Sequence, residues 1–232
     1  MLFLQNKSNL PPVGPGDPPA LPTPFVDYEP NWQTLEKLAA KYRHVDKIIL
    51  AGQGGAINTF RGIYGALANR HTPPVIFVDT NDPEYLQSVR SGADAAKTLL
   101  VVVSKSGETL TALEALFYFY DLPNKAIVAG RNTPLHQIAH ADNLDCLIHP
   151  ELSGRYAGLS EISMFPALLC GFDAKGLRKA LLPAPRERVT SNAWQLANAL
   201  WRLEQDGQDI LVISNYVRPL KDFNLLIQQL LH

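Results

Sequence analysis

Residues 99–110 read LLVVVSKSGETL, and the fold turns on them. Leu99–Val103 are five apolar residues in a row with no polar alternation. A strand with one wet face alternates apolar and polar residues, so this run predicts a strand covered on both faces. Ser104–Thr109 then forms a polar turn, and Leu110, Leu113, Leu116 and Tyr120 recur at helical spacing. A buried strand, a turn and an amphipathic helix make half of a βαβ unit.

The same half-unit recurs on either side. Lys47–Ala51 (KIILA) is a short apolar run, followed by Gly52-Gln53-Gly54-Gly55 and by Ile57, Phe60, Tyr64 and Leu67 at helical intervals. Asn31 is placed to cap a helix reaching about Arg43. Pro74–Val78 predicts a strand, and Asp82–Arg90 a short helix with Pro83 in its first turn. Downstream, Lys125–Ala129 and Leu144–Ile148 predict strands around a helix at Thr133–His140. This regularity predicts the α/β class: a five-stranded parallel sheet with helices on both faces.

After Pro150 the rhythm changes. Ser160–Cys170 and Asp173–Leu182 read as helices, Pro183–Thr190 (PAPRERVT) as a linker, and Ser191–Glu204 as a helix. Asp209–Ser214 (DILVIS) reads as a strand and Leu220–Leu231 as a helix, giving a C-terminal helix–strand–helix extension. One strand and one helix cannot bury a parallel sheet alone. The pair is expected to dock on the first domain, pair with another chain, or open a further domain. At the other end, eight of the 18 prolines fall between Pro11 and Pro30, so residues 1–29 read as an extended lead-in lying over the surface or around a partner. The domain reading is therefore 1–29 lead-in, 30–182 main domain, and 183–232 linker plus the start of an incomplete second unit.

Composition narrows the function classes. Hydrophobic residues at 46% argue against wholesale disorder. With 21 Lys+Arg against 22 Asp+Glu, the net charge of -1 excludes a general nucleic-acid binder but leaves room for a local basic pocket holding one small anion. No apolar run approaches the ~18–20 residues of a membrane helix, and Met1–Leu4 is too short for a signal peptide. Cys146 and Cys170 form no CxxC pair and no disulfide framework, which fits a reducing, cytoplasmic setting.

Three loops are candidates for chemistry, each following a strand. Gly52-Gln53-Gly54-Gly55 permits close backbone approach, and its amides suit an anion. A tight strand-to-helix turn with no ligand explains the same glycines. The dinucleotide fingerprint is excluded, because Ile57 stands where its third glycine belongs. Ser104-Lys105-Ser106-Gly107-Glu108-Thr109 gathers three hydroxyls and a lysine at the head of a helix, the donors and positive potential a phosphate monoester needs. The plainer reading makes Ser106 an N-cap and Lys105 a solvated charge. Ser153-Gly154-Arg155-Tyr156 places a guanidinium just past the fifth strand, suited to a developing oxyanion or simply to the surface. His136 and His140 sit four apart but lack a third ligand at metal spacing, so they read as surface residues or caps and no metal is expected.

Together these motifs resemble the glucose-6-phosphate isomerase family. SKSGET after a buried strand is similar to the phosphosugar turn of sugar isomerase (SIS) domains, which have a flavodoxin-like three-layer architecture. GQGGAINTF resembles the family's GIGGS-type turn, SGRYAGLSEISMFPALLCGFD its GGRxSxxS segment, and NYVRPLKDFNLLIQQLLH the QQL segment leading into a second SIS domain. The resemblance runs from about residue 45 onward. It implies a phosphate clamp of Ser104, Lys105, Ser106 and Thr109, a backbone wall beside the sugar from Gly54, Gly55 and Gly154, and Arg155 as the residue stabilising an enediolate. It implies interconversion of glucose 6-phosphate and fructose 6-phosphate in glycolysis and gluconeogenesis, with no cofactor, by a homodimer that engages neither nucleic acid nor membrane.

Several positions depart from the family pattern. Ala56 replaces a serine, Glu108 a threonine, and Thr111 a glutamate. The family's catalytic glutamate lies in an ESxGK-type segment just past the QQL helix, where this sequence reaches His232, so the resemblance puts the base outside these 232 residues. Among Glu114, Glu151 and Glu161, Glu151 is nearest to the GRY loop. The alternative expectation is therefore a phosphosugar-binding SIS module without turnover, acting as a sensor or regulatory subunit.

Overall fold

The five apolar runs become five parallel strands because each finds neighbours on the ladder and helices over its faces. In the computed structural model, which describes residues 24–181, 186–208 and 210–231, these are β1 (Lys47–Ala51), β2 (Val75–Val78), β3 (Thr98–Ser104), β4 (Asn124–Ala129) and β5 (Asp145–Ile148). They pair in the order β2-β1-β3-β4-β5. All four ladders are parallel.

The helices are α1 (Pro24–Asp27), α2 (Trp32–Lys41), α3 (Asn58–Leu67), α4 (Pro83–Ser91), α5 (Leu110–Tyr118), α6 (Pro134–Ala141), α7 (Glu161–Leu169), α8 (Ala174–Leu181), α9 (Arg186–Gln205) and α10 (Phe223–Leu231). Three of the expected starts are capped by side chains. Asn31 Oδ1 accepts from the Thr34 amide at 3.1 Å, and Asp82 Oδ1 from that of Glu84 at 2.9 Å. Thr133 Oγ1 accepts from the His136 amide at 3.4 Å. Such caps are each worth about 1 kcal/mol.

The central strand β3 is buried along its whole length, and its alternation divides the core. Leu99, Val101 and Val103 face Leu35 of α2, Phe60 and Ile63 of α3, and Phe165 of α7. Leu100 and Val102 face Leu86 of α4, Leu116 of α5 and Leu135 of α6. Burying each such aliphatic side chain contributes roughly 1.5–3 kcal/mol, so two full faces make β3 the strongest single element of the core.

The strand order fixes where a ligand binds. The chain steps outward from β1 to β2, then returns to the other side of β1 as β3 and continues through β4 to β5. Order reverses between β1 and β3, and a crevice opens there beyond the strands' carboxyl ends. The two turns leaving these strands are Gly52–Ala56 and Lys105–Thr109.

The termini correct two expectations. The strand expected over Asp209–Ser214 does not form: residue 209 lies outside the described residues, and residues 210–214 are irregular. The sheet's edges are β2 and β5, neither pairs with this segment, and Ile210 and Val212 stay 83% and 78% exposed. β-propensity without a partner strand makes no ladder. The linker expected over Pro183–Thr190 is helical from Arg186 onward, and residues 183–185 lie outside the described residues. α10 docks on the main domain, with the Phe223 ring against Gly62 and Asp222 against Gly65 of α3. Of the lead-in, residues 1–23 lie outside the described residues. Residues 24–29 lie on the domain: Phe25 stacks on Tyr156 at 5.4 Å, and the Tyr28 hydroxyl donates to Glu161 Oε2 at 2.7 Å.

Candidate functional site

The turn after β3 is held from within. Ser104 is 2% exposed, and its Oγ accepts from the Gly107 amide at 3.0 Å and lies 2.8 Å from Thr109 Oγ1. When Ser104 donates to Thr109, the Thr109 hydroxyl keeps its own proton for a ligand. Gly107 has φ +66, and a Cβ there would stand 2.4 Å from Thr133 Oγ1, so only glycine fits. Ser106 Oγ accepts from the Glu108 amide at 3.2 Å and remains exposed. Ser104 thus shapes the turn, while Lys105, Ser106 and Thr109 offer it to solvent. α5 begins at Leu110; the Ala112 and Leu113 amides both donate to the Thr109 carbonyl at 3.0 Å, which leaves those of Leu110 and Thr111 without helical acceptors and favours an anion at this point.

The turn after β1 is built by close approach. A Cβ on Gly55 would stand 2.3 Å from the Gly154 carbonyl carbon and 2.6 Å from the Arg155 amide nitrogen. Two backbones touch here, and the contact brings the one-turn 3₁₀ helix Gly154–Tyr156, with Arg155, to the rim. Gly154 itself has room, its nearest neighbour being 4.0 Å from a built Cβ. Gly54 has φ +55 and sits beside Gln229 of α10, whose Oε1 accepts from Asn58 Nδ2 at 3.1 Å.

The three loops meet around one cavity of about 540 Å³. Of the residues expected at the site, Ser104, Lys105, Ser106, Thr109, Gly55, Gly154 and Arg155 line it. Gly54 does not; Gln229 lines it instead. Glu108 is exposed and is not among the lining residues. Ala56, which lacks the hydroxyl a serine would supply, is on the wall.

Four further lining residues matter. Arg131 and Thr133 come from the turn after β4, which abuts the SKSGET turn through a 3.2 Å bond from the Gly130 amide to the Lys105 carbonyl. Glu151 is exposed beside the Arg155 loop. His149 is 1% exposed, with Nδ1 2.7 Å from the Pro150 carbonyl. A carbonyl only accepts, so Nδ1 carries the proton, and Nε2 is left buried and without a partner. Burial, reinforced by Lys105, holds this imidazole below its usual pKa against the opposing Pro150, Glu161 and Glu151 contributions. No sequence pattern marked His149, because its burial depends on the close of β5 and not on its neighbours.

The cavity's charges are three cations, Lys105, Arg131 and Arg155, against one carboxylate, Glu151. None of the three cations makes a hydrogen bond or ion pair with its side chain among the described residues, whereas Arg61 and Arg90 hold aspartates and Arg178 holds Glu29. A chain of net charge -1 thus concentrates positive potential at one crevice. Elsewhere the chemistry is quiet. Both cysteines are free, and burial pushes the Cys146 thiol up to about 11 and Cys170 up to about 12, so neither is a thiolate nucleophile. Among the described residues no three His, Cys, Asp or Glu side chains gather as a metal site, and no helix is long and apolar enough to cross a membrane.

No family model matches the chain. It is 26% identical over 212 residues to a probable glucose-6-phosphate isomerase of Haloarcula marismortui, covering 85% of this chain and 48% of that protein. It is 26% identical over 202 residues to a glucose-6-phosphate isomerase of Methanocaldococcus jannaschii, covering 80% and 49%. The chain spans about half the length of the curated relatives it matches. Among solved structures, a hypothetical protein of Thermus thermophilus superposes with TM-score 0.60 at 24% identity, over 68% of this chain and 40% of that one. A glucose-6-phosphate isomerase from Chlamydia trachomatis superposes with TM-score 0.54 at 20% identity, over 63% and 31%. The structures share the fold, and the relatives bear out the resemblance to the glucose-6-phosphate isomerase family drawn from the sequence.

Proposed function

We propose that the crevice binds the phosphate of a hexose 6-phosphate and that the chain is the phosphosugar-binding part of an aldose–ketose isomerase of the glucose-6-phosphate isomerase type. The observation that carries this is the meeting of the SKSGET turn and Arg155 around one cation-rich cavity at the reversal of strand order. Lys105, Ser106, Thr109 and the Leu110 and Thr111 amides at the head of α5 grip the phosphate. That remote grip supplies binding energy for orienting the sugar carbons near Arg155. Arg155 stabilises negative charge as an enediolate develops. The proposal carries with it the glucose 6-phosphate to fructose 6-phosphate interconversion of glycolysis and gluconeogenesis, a cytoplasmic setting, a homodimer, and the division into a main domain at 30–182 and the opening of a second unit at 183–232.

A second reading has its own support. Glu151 is the one carboxylate among the described lining residues, and it is exposed. Without a placed base, proton transfer between C1 and C2 loses about 10²–10⁴-fold. The 232 residues alone then act as a phosphosugar-binding module. An isomerase assay coupled to glucose 6-phosphate oxidation, run beside calorimetric titration with fructose 6-phosphate, separates the two. Turnover supports the enzyme. Binding without turnover supports the module, and absence of both refutes the proposal.

A further inference from the structure

We infer that Arg131 completes the anion site, so that Lys105 and Arg131, on the adjacent turns after β3 and β4, hold a doubly charged phosphate between them. The inference rests on the phosphosugar reading above and deepens it. The two turns are fastened together by the bond from Gly130 to Lys105, and Gly107 presses against Thr133. The Arg131 turn is itself locked: Thr133 Oγ1 donates to the Gly130 carbonyl at 2.8 Å, and Asn132 holds the left-handed conformation at φ 59. Arg131 therefore stands on a fixed backbone one residue from the contact, with its exposed side chain on the cavity wall.

Its charge has no protein partner among the described residues. Like charges gathered on one wall repel, and an anion between them relieves that repulsion. The wall also lacks a hydroxyl donor at Ala56 on the turn after β1, and Lys105 is the only cation of the SKSGET turn. A guanidinium presents a planar fork to phosphate oxygens where an ammonium offers a point charge, so the pair recognises both shape and charge. The ligand class is a phosphate monoester in its dianionic form, which predominates above pH ~6.

The test measures calorimetric affinities of the full chain for glucose 6-phosphate and glucose 6-sulfate, a monoanion of the same shape, at pH 7.5. Arg131→Ala is expected to weaken glucose 6-phosphate about tenfold, as loss of one charge-assisted bond does, and glucose 6-sulfate distinctly less. Arg131→Lys recovers part of the loss, and Arg43→Ala, which removes the same charge far from the cavity, changes neither affinity. If the parent binds glucose 6-phosphate but Arg131→Ala stays within about twofold of it, the inference fails and the phosphosugar reading stands. Equal loss for both ligands also overturns it, because the recognition is then not of the second charge. A parent that binds neither ligand overturns the inference and the reading together.

Discussion

The turn after β1 and the turn after β3 each leave a buried strand, open a helix and border the same cavity, yet they are made from different materials. The first, Gly52–Ala56, has no side chain to offer a ligand except Gln53, and its Gly55 serves to let two backbones touch. The second, Ser104–Thr109, is rich in hydroxyls, and one of them, Ser104, is occupied in holding the others in place. The difference teaches that a residue can be essential at a binding site without addressing the ligand. Gly55 and Ser104 build the site; Ser106, Thr109 and Lys105 present it.

Substitutions can break that distinction. The largest effect is expected at Gly55→Ala, where the added methyl meets backbone at 2.3 Å and cannot be accommodated by a rotamer change. The cost is expected to be about 3 kcal/mol or more in urea unfolding, while Gly154→Ala, with open space around it, changes stability by less than about 0.5 kcal/mol. Equal costs at the two glycines would refute the backbone contact. Ser104→Ala comes next. It strands the buried Gly107 amide and frees Thr109, so it should cost about 1–3 kcal/mol of stability, whereas exposed Ser106→Ala costs little stability and acts on binding. A Ser104→Ala protein as stable as the parent would make Ser104 a ligand donor only.

A smaller effect is expected with pH. His149 is held neutral in the fold, so below about pH 6.5 the unfolded chain binds a proton that the folded chain refuses. Stability therefore falls as pH drops through that value. The fall should shrink in His149→Asn, whose side-chain amide can still donate to the Pro150 carbonyl. Unfolding midpoints at pH 7.5 and 5.5 check this, and an unchanged fall in the variant would contradict the burial of a neutral imidazole.

The same contrast explains what was legible in the sequence. The five strands could be read because each is a local apolar run, and KIILA and LLVVV need no partner to be recognised. DILVIS has the same local character, yet its described residues 210–214 form no strand, because a strand also requires a free sheet edge beside it, which no local pattern records. The SKSGET turn was legible for its chemistry, but the split of its hydroxyls between scaffold and ligand was not, since that depends on where Oγ atoms point. Arg131, His149 and Gln229 were out of reach for a related reason. They arrive at the cavity on the turn after β4, the end of β5 and a helix more than 170 residues downstream of Gln53, and nothing in RNT, IHP or QQL states which turn each will meet.

The central claim is that the bend between Val103 and Leu110 holds a sugar's phosphate. The most direct measurement is calorimetric titration of fructose 6-phosphate into the full chain and into the double variant Ser106→Ala/Thr109→Ala, both checked for unchanged unfolding midpoints. The account predicts binding by the parent and a loss of about tenfold or more in the variant. A variant that binds as tightly as the parent would place the phosphate elsewhere and contradict it.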